Sequence, residues 1–188
     1  MEPIEERYLG LADDIARLAV QRLLTCDWRW RANDRAARIW QRAGTAVSVV
    51  AAIASALAAV SFVRDYQWLA VSLAIAVAVL VPVQNTLSAP TRVSEHRDAA
   101  FRFEGLANDV ERFCQLELGP PMWRNSAVDL THVKTRFDVL DERVATAAAP
   151  RLRPIERDLR AAEERARFLT SYLQMHNVII PPRAAWAI

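Results

Sequence analysis

The sequence predicts an all-α membrane protein: a two-span transmembrane helical hairpin with a cytoplasmic helical bundle drawn from both termini. Three observations predict it. Two long uncharged apolar runs stand side by side in the middle of a 188-residue chain. Charged sequence with a helical apolar period flanks them on both sides, and arginine gathers at their outer ends and not between them. Mean hydropathy is near zero because it averages these unlike parts. The expected division is residues 1–42, an N-terminal cytoplasmic and interfacial helix; 43–91, the hairpin, with spans 43–63 and 66–89; and 92–188, a cytoplasmic helical region with a proline-rich tail.

From Glu5 to Leu24 the residues Leu9, Ile15, Leu18 and Leu23 fall at spacings suited to an amphipathic helix. The following CDWRWRANDRAARIW is rich in tryptophan and arginine, which suits a helix at a membrane surface with arginine facing anionic lipid. AGTAVSVVAAIASALAAVSFV, Ala43 to Val63, carries no charge, and at about 1.5 Å per residue it covers roughly the 30 Å hydrocarbon core. Arg64 and Asp65 in SFVRDYQWL then form the whole connection to a second uncharged run, YQWLAVSLAIAVAVLVPVQNTLSAPT. A signal peptide fits poorly, since a long charged and polar segment precedes the first run. The competing reading is a pair of buried helices in a soluble bundle, which the alanine richness favours. Against it, the chain has too few other apolar segments to surround two helices that are hydrophobic on every side.

Arg29, Arg31, Arg35, Arg38 and Arg42 lead into the first run and Arg92, Arg97 and Arg102 follow the second. The positive-inside rule therefore places both termini in the cytoplasm and the tip outside, in a multi-pass protein. Tyr66 and Trp68 at the tip, with Trp28, Trp30 and Trp40 before the first span, match an interfacial aromatic belt. Small residues recur at four-residue spacing: Gly44, Ser48 and Ala52; Ala51, Ser55 and Ala59; Ala70, Ala74 and Ala78. Such rows let helix backbones approach, within the hairpin or between subunits.

Thr45, Ser48 and Ser55 on the first span, with Gln84 and Asn85 on the second, are the candidate pore-lining residues. A bland alternative stands beside each: a hydroxyl satisfies itself on its own helix carbonyl, and the amides beyond Pro82 mark the wet end of the span.

After the spans, Val93, Ala100, Phe103, Leu106, Val110, Phe113 and Leu116 form a helical stripe ended by Gly119, Pro120 and Pro121. The interleaved charges Asp98, Glu104, Asp109 and Glu111 with Arg97, Arg102 and Arg112 suggest a solvated face with pairs across turns. Ser126 with Asp129 opens a helix to about Ala148, and Pro150 with Pro154 separates it from a last helix, Ile155 to about His176. The apolar tail NVIIPPRAAWAI is too short to span and is expected to fold into a groove on the bundle or on a neighbour.

Little here points to chemistry. The three histidines, His96, His132 and His176, lie far apart, and Cys26 and Cys114 show no metal-ligand or disulfide spacing. No phosphate loop fits a chain with four glycines, and no nucleophile, base and orienter stand at motif spacing. The expectations are no enzyme, no cofactor and no metal. The net charge of +2, with Lys134 the only lysine, and the lack of a recognition module argue against nucleic acid as a partner. The lipid bilayer is the expected one.

The amphipathic start, the tight hairpin, the helix SEHRDAAFRFEGLANDVERF with its spacing of His96, Arg97, Ala100, Phe103 and Leu106, and the closing IIPPRAAW together resemble the SLATT family. These are the SMODS and SLOG-associating two-transmembrane effector domains of bacterial conflict systems. The resemblance covers almost the whole chain, with Phe103 where the family more readily has tyrosine. It implies an antiviral defence effector that forms a homo-oligomer in the inner membrane. A pore would open on a signal from a sensor or nucleotide second-messenger system, causing growth arrest or death. No catalytic residue comes with it. The chain has no room for a fused sensor, so the trigger is expected from a partner or directly on the cytoplasmic helices. An anchor whose cytoplasmic helices recruit a partner protein is the alternative.

Overall fold

The computed structural model describes the backbone of residues 4–63, 67–86, 89–118 and 127–176, and the side chains of 10–60, 68–79, 82, 90–118 and 130–176. The described residues are all-helical, with no strand among them. In chain order the helices are α1 (Ile4–Val63), α2 (Gln67–Thr86), α3 (Ala89–Phe113) continued by a π-helical turn (Cys114–Leu118), α4 (Ala127–Thr146) and α5 (Glu156–Met175).

Helix α1 is a single helix of 60 residues, where the sequence pattern suggested an amphipathic helix, a surface helix and a span. The pattern changes along it, but nothing breaks it. No proline lies between Ile4 and Val63. An isolated interior glycine such as Gly44 costs only about 1 kcal/mol, too little to end a helix braced by packing. Helix α2 likewise runs through Pro82, although the proline removes one backbone hydrogen bond. The starts of α4 and α5 fall within a residue of expectation, but Ser126, the expected cap of α4, lies outside the described residues.

The chain divides into two compact units, Met1–Asn33 with Ala99–Ile188, and Asp34–Asp98. The second is wider than the hairpin expected at 43–91, since it takes in the arginine-rich turns at both ends.

In the first unit, four helices each contribute one stripe to a common core. Ile15, Ala16, Ala19, Val20 and Leu23 come from α1, and Phe103, Leu106, Ala107 and Val110 from α3. Leu130, Val133, Phe137 and Leu140 come from α4, and Ala162, Ala166, Leu169 and Leu173 from α5. These are i, i+3, i+4 spacings, so each helix buries one face. Among the described residues, two expected stripe members are exposed. Leu18 is exposed while alanines fill the face of α1. Leu116 is 61% exposed because the π-helical turn carries an extra residue per turn and rotates Cys114 and Leu118 inward instead. Phe113 meets Phe137 with ring centroids 5.7 Å apart. The Tyr172 hydroxyl donates to the Gln115 carbonyl at 3.3 Å, joining α5 to the π turn.

Two of the α3 carboxylates pair with other helices and not across turns as expected. Asp109 holds Arg143 of α4 at 3.0 Å, and Glu111 holds Arg165 of α5 at 2.6 Å.

Cys26 and Cys114 are free and buried. Burial pushes the Cys26 thiol up to about 12, and pushes Cys114 up as well. Both therefore stay protonated and unreactive. Native protein is expected to resist maleimide labelling at neutral pH and to label at both thiols once unfolded. Above about pH 9 the unfolded Cys26 loses its proton while the folded one keeps it until about 12. The unfolded state then binds fewer protons, so stability falls as pH rises through that window. Denaturation at pH 8 and pH 10.5 checks this, with Cys26→Ala expected to flatten the dependence.

The second unit is built the other way round. Its buried apolar residues are small, Ala37, Ala54 and Ala70, while Val49, Val50, Ile53, Leu57, Val60, Val71, Ile75 and Val79 are all more than half exposed. Gly44, Val47, Ala51, Ala54 and Ala58, the less exposed positions of α1, mark its packed seam. Ala70, Leu73 and Val77 do the same on α2. Apart from Gly44, Ala51 and Ala70, the seam does not follow the four-residue rows read from the sequence. Alternating steps of three and four keep one helix face in contact over several turns, whereas a strict row of fours drifts around the helix.

Candidate functional site

One helix among the described residues, α1, is long and apolar enough to cross a membrane. Its exposed apolar surface and that of α2 form the chemically unusual feature of the molecule. A folded chain in water normally buries such side chains and does not leave a contiguous patch of them outside.

Three of the five residues expected to line a pore lie on this surface. Thr45, Ser48 and Ser55 share one exposed stripe of α1, off the packed seam. Each hydroxyl donates to the carbonyl four residues back: Thr45 to Gln41 at 2.9 Å, Ser48 to Gly44 at 3.0 Å and Ser55 to Ala51 at 2.8 Å. Their donors are thus satisfied locally, which lowers the cost of removing them from water. Gln84 and Asn85 occupy the last turn of α2, and their side chains lie outside the described residues. So do the tip residues Arg64, Asp65 and Tyr66.

The aromatic residues separate by unit. Trp68 is 70% exposed at the start of α2. Trp40 is half-buried, and the Arg92 guanidinium sits 5.0 Å from the centre of its ring. Trp28 and Trp30 instead pack against the core of the first unit. The guanidinium of Arg29 stacks on Trp28 and Phe103, at 5.6 and 5.4 Å.

Beside Trp40, the first turns of α3 close against α1. Arg97 donates to the Gln41 side-chain oxygen at 3.0 Å, and the cleft there, about 400 Å³, is lined by Thr45 and Ser48 among others. His96 is buried one turn away. Burial pulls it below the ordinary histidine range, with Glu95 opposing and Arg92 adding to the effect. As pH falls below the ordinary range the unfolded histidine takes up a proton that the folded one resists, so this unit loses stability on acidification.

A polar node in the first unit escaped the sequence reading. Asp27, fully buried, accepts from Arg31 at 2.7 Å and from Arg165 at 2.9 Å. Arg165 also donates to Glu111 at 2.6 Å and to Asn108 at 2.7 Å, so one guanidinium ties α1, α3 and α5. Burial works against its charge, but the hydrogen bonds it donates to Asp27 and Glu111 outweigh that and hold its pKa above the usual arginine value. The contributing residues lie far apart in sequence. The only hint was an acid, Asp27, inside an apolar stripe of α1.

Among the described residues no group of three or more His, Cys, Asp or Glu side chains is placed to hold a metal ion. Comparison of the chain with family models, with curated proteins and with solved structures finds no match.

Proposed function

We propose that the protein is a pore-forming membrane effector, and that the second unit is a two-span hairpin in the inner membrane with the first unit in the cytoplasm. One observation carries the reading: Asp34–Asp98 buries alanine and exposes valine, isoleucine and leucine, the arrangement suited to a hydrocarbon solvent. The stripe of Thr45, Ser48 and Ser55, already satisfied on its own helix, tolerates lipid in a resting state and accepts from water or ions in an oligomeric lumen. Gln84 and Asn85 form its cytoplasmic mouth. The likeness to the SLATT effectors supports a role in antiviral defence, triggered on the cytoplasmic side by a partner or a nucleotide-linked signal.

Purified protein in liposomes loaded with a self-quenched dye is expected to release it when its upstream defence system is supplied. An inserted oligomer that never raises permeability under those conditions counts against the pore. For the hairpin itself, Arg64→Cys and Asp65→Cys are expected to react with an impermeant thiol reagent from the periplasmic face only. Labelling from the cytoplasmic face would reverse the topology.

A second reading, an anchor that recruits a protein, draws on the first unit. Between α3 with its π-helical turn and α4 runs a groove of about 550 Å³ lined by Leu116, Val139 and Arg112 and by the ion pairs Asp109–Arg143 and Glu117–Arg136. Leu116 and Val139 are both more than half exposed, as is usual where a partner docks. Exchanging the spans for an unrelated hairpin separates the two: activity survives in the anchor and is lost in the pore.

A further inference from the structure

We infer that the cleft between the start of α3 and the Trp40–Ser48 stretch of α1 is a binding site for an anionic membrane phospholipid. Its phosphate would lie on Arg97 and Arg92, and one acyl chain would run along the Gly44 and Ser48 face of α1. The inference rests on the membrane reading of Asp34–Asp98.

Three observations carry it. The first is charge without a counter-charge. The described partner of Arg97 is the neutral amide of Gln41, at 3.0 Å, and Arg92 faces the ring of Trp40 at 5.0 Å. Neither forms an ion pair among the described residues, whereas neighbouring Arg38 is held by Asp34 at 2.6 Å. No carboxylate lines the cleft among the described residues. Arg97 lines the cleft and Arg92 sits on Trp40, another lining residue, so two guanidiniums without an ion pair among the described residues stand beside one cleft.

The second is shape. About 400 Å³ suits a headgroup with the beginning of a chain and lies within the range of small-ligand sites. Gly44 and Ser48, both small, are part of its lining.

The third is hydrogen-bond polarity. Gln41 accepts from Arg97 through its side-chain oxygen and from Thr45 through its backbone carbonyl. Gln41 lines the cleft, and its side-chain amide also carries an N–H donor. Trp40, apolar in body with an N–H at one edge, suits the glycerol level of a bilayer. Basic pockets at the cytoplasmic ends of membrane helices take anionic headgroups on this logic.

The test uses the full-length protein reconstituted in phosphatidylcholine vesicles with and without phosphatidylglycerol. Incorporation is read by carbonate-resistant flotation, and retained lipid by native mass spectrometry. Wild type is expected to insert in both and to retain phosphatidylglycerol over phosphatidylcholine by about 10-fold, the scale of two guanidiniums near an anionic surface. Arg92→Gln with Arg97→Gln is expected to insert as well as wild type and to lose that preference. Arg38→Gln with Arg42→Gln, which removes equal charge outside the cleft, is expected to keep it. An inserted wild type without the preference overturns the lipid site and leaves the membrane reading standing, as does an equal loss in both double variants. Displacement by soluble glycerol phosphate at a similar concentration overturns the lipid in favour of a free phosphate. Failure of wild type to float overturns both readings.

Discussion

Replacing Arg165 with methionine is expected to lower the unfolding free energy by about 3 kcal/mol, because it leaves a buried charge without its partner. Asp27 is fully buried, and Arg165 supplies one of its two ion-pair contacts as well as the contacts of Glu111 and Asn108. Arg31 alone cannot replace them, since its fork is engaged on the other oxygen of Asp27. Lysine at this position is expected to recover only part of the loss, because one ammonium cannot serve acceptors on two neighbouring helices. The contrast is Arg160→Ala, whose partner Glu156 is exposed like itself, and which is expected to change stability by less than about 1 kcal/mol. Chemical denaturation followed by helical circular dichroism measures both. A loss below about 1 kcal/mol for Arg165→Met would show that the node does not hold α1, α3 and α5 together.

Arginine at Ile53 or Ile75 is expected to reduce membrane insertion by roughly 100-fold, since a charge at the centre of a span costs about 2.5 to 3.5 kcal/mol. Both side chains are more than half exposed. In a water-soluble protein the same substitutions would be neutral or would improve solubility, so the sign of the effect decides between lipid and water. Ala54→Leu makes the complementary test. It adds volume at the packed seam, where overpacking costs about 1 to 3 kcal/mol, while leaving the span more apolar. Insertion is expected to be unchanged and thermal stability in detergent to fall. Carbonate-resistant flotation and a detergent melting curve read the two effects separately.

The stripes of α3, α4 and α5 are recoverable from periodicity, because each helix meets one core and its ends are marked by Gly119, Pro120, Pro121, Pro150 and Pro154. Helix α1 is not, because a change of composition at Leu24 and Arg42 looks like a boundary although the backbone has no reason to stop there. It stays continuous because no proline interrupts it. Leu116 misleads for a related reason. Its place on the stripe assumes 3.6 residues per turn, and the π-helical turn changes that number locally.

Of the candidate site residues, Thr45, Ser48 and Ser55 are visible as hydroxyls in an apolar run, and their mutual alignment follows from helix geometry alone. Their separation from the packed seam does not. That depends on which face of α1 meets its neighbours, and alanine is so evenly spread that several faces look equally suitable. Arg97 with Gln41, and Arg165 with Asp27 and Glu111, are invisible for a stronger reason: their members come from different helices.

All-helical class, the two apolar runs and the lack of a chemical motif follow from composition and local period, because those depend only on neighbours within a turn or two. Which charges pair, which alanines form the seam and where Arg92 meets a tryptophan depend on distances between residues that the chain separates widely. Side chains of one type are interchangeable in a sequence until packing selects one of them, and that selection made Asp27 a buried node and left Arg97 facing a cleft.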